Sequence, residues 1–258
     1  MDRGAAPTAR RITARCQGKM APRPCRRKTF GCGARFFLYN GLIVRRLLPF
    51  RFFAIALMAV TASAEEDKGW AVVSRSGDLI VYNRPHKDSS IQEYKAVGLI
   101  DAPPAAVKAV IEDTDEFPHF MPYVIEARVI SRKPDLRITY QRISAPLVGD
   151  RDYTIQIRGE TLLGADGGTS YCNRWKAANE LGPAAKSGVV RIKMNEGSWL
   201  LEPVGDGRQT HATYNIFSDP GGSLPSMVVN AANKTAIPKV FNAIRKQAKL
   251  EKYSRKGQ

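Results

Sequence analysis

Apolar and polar positions alternate with a period of two along most of residues 78–217, the pattern of strands that bury one face. Asp78–Tyr82 and Ile91–Ile100 read as an opening hairpin across the turn-rich stretch Asn83–Ser90. The period then changes. In Asp101–Asp113 two prolines suit a first helical turn, and Ala106, Val107, Val110 and Ile111 form one apolar stripe, so a helix is expected. It ends in Glu116-Phe-Pro-His-Phe-Met-Pro-Tyr123, where two prolines stop regular structure and three aromatics and a Met supply bulk. Further strands are expected at 124–131, 136–143, 152–159, 169–176, 188–194, 198–203 and 210–217, with turns that suit an antiparallel meander.

Beyond Asp219-Pro-Gly-Gly222, helical periodicity takes over. Leu224, Met227, Val228, Ala231, Ile237, Val240, Phe241, Ile244 and Ala248 share an apolar stripe along about 40 Å of helix, with a kink expected at Pro238. With no repeat and no linker in sight, 65–252 reads as one domain of α+β class, followed by a basic tail at 253–258. A long antiparallel sheet curving around a long terminal helix leaves a gap between them unless side chains fill it.

Charge changes the picture at the N-terminus. Of the formal +16, residues 1–64 hold 13 Lys or Arg against the single acid Asp2, so most of the basic character belongs to a leader. Arg45 and Arg46 precede the apolar run Phe52–Val60 and the small residues Thr61-Ala-Ser-Ala64, which makes 44–64 a signal peptide with its cut after Ala64. The run is too short, and too interrupted by Arg51, for a bilayer span of about 20 residues. Export is therefore expected, to the periplasm if the host is a Gram-negative bacterium. Residues 1–43 sit upstream of a complete signal and read as a mis-assigned start. Only Cys172 remains after residue 64, so no disulfide can close within 65–258 and the core must hold the domain.

Catalysis and nucleic-acid binding find little support. His86, His119 and His211 are far apart in sequence and give no local metal-ligand spacing, and no cofactor motif is present. His119, between Pro118 and Phe120, reads as a loop residue or as one reaching a cavity mouth. Asn195, beside Gly197, reads as a turn residue or a polar contact. Six basic residues against one acid in 245–258 account for the excess charge of the mature chain, and the near-neutral remainder disfavours nucleic acid. That local charge suits either a solvated helix end or transient contact with anionic lipid headgroups.

Several stretches in order resemble the START family, the steroidogenic acute regulatory protein-related lipid-transfer domains of the helix-grip superfamily. They are the hairpin with the Ala102-Pro-Pro helix, Ala145–Tyr153, Gly197-Ser-Trp-Leu-Leu-Glu-Pro203, Thr213–Gly222 and Leu224–Asn230, spread across about 70–250. The resemblance implies a helix-grip fold: a curved antiparallel sheet wrapped around the C-terminal helix, with an apolar tunnel between them for one lipid or other hydrophobic small molecule. It implies no cofactor, no metal and no nucleic-acid partner, and a monomer is expected.

On this reading Gly221 and Gly222 supply backbone freedom at a hinge and Pro225 suits the helix's first turn. Met227, Val228 and Ala231 would line the ligand or pack as ordinary core. Arg151, paired with a carboxylate such as Asp152, would present a polar end to the tunnel or pin a strand edge. Trp199 and Tyr214 are apolar or amphipathic strand positions that would line the tunnel or pack as ordinary core, the latter able to donate to a headgroup. Alternation separates Tyr153, Ile155 and Ile157 from Thr154, Gln156 and Arg158 without telling which set looks inward. Two rivals stay open: an enzyme of cyclase or hydrolase type in the same fold, for which no acid–base pair is evident, and an interaction module with a filled core.

Overall fold

The computed structural model describes residues 69–146, 149–164 and 167–255. The leader, the signal at 44–64 and the cut after Ala64 lie outside the described residues. Ten strands form one sheet: β1 (Ala71–Ser76), β2 (Leu79–His86), β3 (Ser89–Ile100), β4 (Val124–Lys133), β5 (Leu136–Ile143), β6 (Arg151–Leu163), β7 (Thr169–Ala177), β8 (Val190–Arg191), β9 (Met194–Val204) and β10 (Gln209–Asp219). The helices are α1 (Pro104–Glu112), α2 (Phe117–Phe120), α3 (Ser226–Ala248) and α4 (Glu251–Ser254). Strand order is β1-β2-β3-β10-β9-β7-β6-β5-β4, with β8 off the path against β6. Two meanders are thus joined through the antiparallel pair β3–β10, and the sheet grips α3 in the α+β, helix-grip arrangement.

Most expected strands are found, with three differences. The turn expected at 83–90 shrinks to Lys87-Asp88, because Asn83 bonds Gln92 and Arg84 pairs with Glu93 at 2.6 Å, cross-strand contacts that carry β2 and β3 further. Pro85 is accommodated by a register shift between it and His86. The strand expected at 188–194 is only the two-residue β8, paired parallel to β6 through Val190 N–H and Ile192 N–H donating to the Asp150 and Asp152 carbonyls. Edge strand β1 was not expected at all. Helix α3 continues through Pro238 without a break in its assignment.

The core lies where α1 and the C-terminal half of α3 meet the sheet. Ala106, Val107 and Val110 of α1 and Phe241 and Ile244 of α3 pack on Leu79, Val81, Ala96 and Ala212. Gly98 of β3 permits this approach, since a Cβ there would lie 3.3 Å from both Phe241 and Leu79. Burial of these apolar faces, rather than helix propensity, holds α3 in place.

The fold also runs past residue 252. Tyr253 of α4 is fully buried, its hydroxyl donating to Asp113 at 2.9 Å, so the tail does not begin as a free basic arm at 253. Its charges are largely engaged: Arg245 with Asp78 at 2.7 Å, Lys249 with Asp101 at 3.1 Å and Lys252 with Glu116 at 2.8 Å. The hydrogen bonds from Lys249 and Lys252 hold the Asp101 and Glu116 carboxyls below the usual carboxylate range. Their contribution is complete above about pH 4 and is lost as pH falls through those lowered values. Hydrogen-exchange protection at 249–255, corrected for the intrinsic exchange rate, should therefore fall only below about pH 4 while the sheet amides stay protected.

Candidate functional site

Between the sheet and the N-terminal two-thirds of α3 lies a cavity of about 690 Å³. Register decides its wall. In β5 through β7 the inward set is Arg137, Gln141, Tyr153, Ile155, Ile157, Asn173 and Trp175, with each strand contributing alternate residues. In β9 and β10 the wall continues as Asn195, Trp199, Tyr214, Ile216 and Ser218. The odd-numbered set of β6 thus looks inward, while Thr154 is covered on the other face by the loop around Gly182. Val228, Ala231, Ala232, Ala236 and Val240 of α3 form the roof.

One glycine shapes this wall. A Cβ on Gly197 would sit 2.2 Å from the Asn215 carbonyl oxygen and 2.4 Å from the Trp175 ring, so its absence lets the indole lie flat on β9. That ring is held by its Nε1–H donating to Asn195 Oδ1 at 2.9 Å. Gly197→Ala should cost about 1–3 kcal/mol by overpacking and shift tryptophan emission, as checked by denaturant unfolding followed by fluorescence.

Polar groups punctuate an otherwise apolar wall. At the end beside the β10–α3 turn Arg151 is buried, with 6% of its surface exposed, and its guanidinium donates to the carbonyls of Pro220 (3.3 Å) and Gly149. It meets no carboxylate among the described residues. The expected pairing with Asp152 does not occur, because adjacent strand residues face opposite sides. Asp152 points away from the cavity, where it binds Arg191 at 2.6 Å and accepts from the Tyr140 hydroxyl at 3.2 Å. Burial and the Asp152 charge push Tyr140 up to about 12.

Midway, the Tyr153 hydroxyl donates to Gln141 at 2.9 Å. Burial pushes the phenols of Tyr153 and Tyr214 well above their ordinary value, so both remain neutral donors in physiological conditions. Tyr214 stacks on Trp199 with centroids 4.4 Å apart. Asn173 Nδ2 is buried without a hydrogen-bond partner. At the far end, Arg137 pairs with Glu112 at 3.1 Å. Arg151 and Ile157, beside Arg137, are six residues apart in β6, so the cavity spans roughly 20 Å.

The mouth is framed by the turn between β10 and α3 and by Tyr123. Gly221 and Gly222 have φ of 67° and 73°, where side chains are disfavoured, and Pro225 precedes α3 as its N-cap. Tyr123, a non-glycine residue at φ 66°, accepts from Lys239 Nζ at 2.9 Å and so links the α2 loop to the roof. Asn230 ties α3 to β3, accepting from Gln92 N–H through its side chain and from the Tyr94 hydroxyl through its carbonyl.

Of the residues expected from sequence, Arg151, Trp199, Tyr214, Val228 and Ala231 line the cavity. Met227 does not: it is 77% exposed, lying about 100° round the helix from Val228 and so on the side turned away from the cavity. Sequence reading missed Arg137, Gln141, Asn173 and Trp175. The signal for the first two was the alternation in Leu136-Arg-Ile-Thr-Tyr-Gln-Arg-Ile143, which puts polar side chains on the inward face of a strand buried on both sides. The histidines are not gathered: His86 stacks on Phe217, His211 faces Glu202, and His119 is exposed outside the wall. Among the described residues no three His, Cys, Asp or Glu side chains come together for a metal ion.

The profile of the polyketide cyclase / dehydrase and lipid transport family matches residues 100–245, which includes the cavity's sheet and most of its roof. The chain belongs to this family and is a START-domain member. A crystal structure of a STAR-related lipid transfer protein from Xanthomonas axonopodis is similar with a TM-score of 0.63 and 25% identity, covering 70% of this chain and 99% of that one. Mouse phosphatidylcholine transfer protein is 26% identical over 173 residues, 66% of this START chain and 78% of that protein. An uncharacterized Pseudomonas aeruginosa protein is 28% identical over 189 residues, 73% of this chain and 90% of its own.

Proposed function

We propose that this START domain holds one lipid molecule in the cavity, polar head toward Arg151 and chain toward Ile157, and carries it between membranes. The observation that supports this most is a buried guanidinium without a carboxylate partner at one end of an apolar, roughly 20 Å space. The likeness to proteins named for lipid and phosphatidylcholine transfer agrees with it. Removal of each CH₂ from water contributes about 0.8 kcal/mol, so an acyl chain supplies the affinity and the polar groups choose the head. The cavity wall contains no Asp, Glu or His among the described residues, so it offers no carboxylate or imidazole base to support the enzyme reading.

Entry requires the roof to part from the walls near Gly221 and Gly222, breaking the Tyr123–Lys239 contact while Asn230 keeps α3 on β3. Export by residues 44–64 belongs to the same proposal: recovery of a chain starting at Glu65 supports it, and a retained leader contradicts it.

The test is lipid capture from vesicles. Arg151→Met should weaken capture of a phospholipid about tenfold, the worth of a charge-assisted hydrogen bond, and leave diacylglycerol capture unchanged. Equal losses for both lipids, or no loss for either, would contradict the assigned head position.

A further inference from the structure

Beyond the far wall of the main cavity lies a second one of about 310 Å³, against the β4–β5 hairpin. Arg137 and Ile157 line both. The second is otherwise bounded by Glu112, Arg132, Lys133, Asp135 and Gly159. Arg132 and Arg137 are direct partners in the β4–β5 register, so they project to the same face, an arrangement in which like charges repel.

The nearby carboxylates do not cancel this charge. Glu112 is already shared by Lys108 at 2.8 Å and Arg137 at 3.1 Å. Arg132 and Lys133 form no ion pair or side-chain hydrogen bond with any described residue. The wall thus holds three cations, Arg132, Lys133 and Arg137, against two acids, Glu112 and Asp135, and Lys108, which shares Glu112, adds a further cation just outside it. The Arg137 side chain, only 8% exposed, is held by Glu112 and presents a fixed fork, the geometry that suits phosphate oxygens. The Asp135 carbonyl accepts from Gly159 N–H at 2.9 Å and fixes the hairpin over the pocket.

We propose that this pocket binds a phosphate monoester dianion, with Arg137 as the buried anchor and Arg132 and Lys133 closing over it. A monoester carries about −1.5 to −2 charges at neutral pH and so matches the two cations Arg132 and Lys133 that have no partner among the described residues, whereas a phosphodiester meets only one of them. The site does not rest on the lipid reading of the main cavity. Its ligand is either soluble phosphate or the headgroup of a phosphatidate-like lipid.

The test uses the full chain at constant ionic strength. Inorganic phosphate is titrated by calorimetry, and vesicles of phosphatidate in phosphatidylcholine are compared with pure phosphatidylcholine by co-sedimentation. Arg132→Gln and Lys133→Gln change exposed side chains and leave the Glu112–Arg137 pair intact, so both variants fold. Saturable phosphate binding that weakens about tenfold in Arg132→Gln assigns the site to soluble phosphate. Silence toward phosphate together with phosphatidate-dependent sedimentation lost in both variants assigns it to the lipid headgroup. No binding to either, or binding indifferent to both substitutions, overturns the proposal.

Discussion

Phe241→Ala should lower the stability of the domain by about 3–5 kcal/mol, the usual cost of emptying a fully buried aromatic site. Phe241 is wholly buried on α3, with its ring 5.7 Å from that of Trp199 and over the gap left by Gly98. Three elements meet at this ring: α3, strand β3 and the Trp199 stack that continues to Tyr214. The surroundings cannot collapse onto the hole, because β3 is fixed between β2 and β10 and has no side chain at 98 to move in. At about 2–4 °C per kcal/mol for a domain of this size, the melting temperature falls by roughly 10 °C. Thermal unfolding by circular dichroism reads the effect directly. A drop of only a degree or two would mean that α3 is held mainly by its polar ties at Asn230 and Arg245.

Ala236→Trp should leave the fold in place and abolish lipid capture. Ala236 lies in the middle of the roof and faces the cavity, so the added indole enters empty space rather than a packed core. If it excludes about four CH₂ groups of the ligand, the loss at 0.8 kcal/mol each is about 3 kcal/mol, or roughly a hundredfold in affinity. The contrast with Phe241→Ala is what makes the pair informative. One substitution removes volume where atoms touch and costs stability; the other adds volume where they do not and costs binding. Capture of a fluorescent phospholipid, measured beside a melting curve for each variant, separates the two effects.

The period of the chain carried much of this. Alternation placed most strands, the stripe from Leu224 to Ala248 placed α3, and turn residues at 219–222 placed the turn that leads into it. Arg151, Trp199 and Tyr214 could be placed on the wall because each falls in a strand entering or crossing the sheet's centre. What alternation cannot give is phase. Both faces of β5 and β6 are buried, one by the cavity and one by neighbouring loops or side chains, so Tyr153 and Thr154 look alike in sequence. Arg151 was paired with Asp152 for this reason: the true partner of Asp152, Arg191, comes from the two-residue strand β8, beside which Asn179 holds the Ile192 carbonyl, and no local pattern predicts that pairing. Met227 sits at the edge of the helical stripe, and its neighbour Val228 takes the cavity-facing position instead. The engagement of the basic tail was likewise invisible, since its acids Asp78, Asp101, Asp113 and Glu116 sit more than a hundred residues away in the chain.

Native mass spectrometry of the protein recovered from cells without detergent, set beside its denatured mass, tests the central claim most directly. A single discrete extra mass that identifies as one lipid is the predicted result, and in Ala236→Trp that mass should be missing. A bare protein that also takes up no lipid from a total extract would contradict the account.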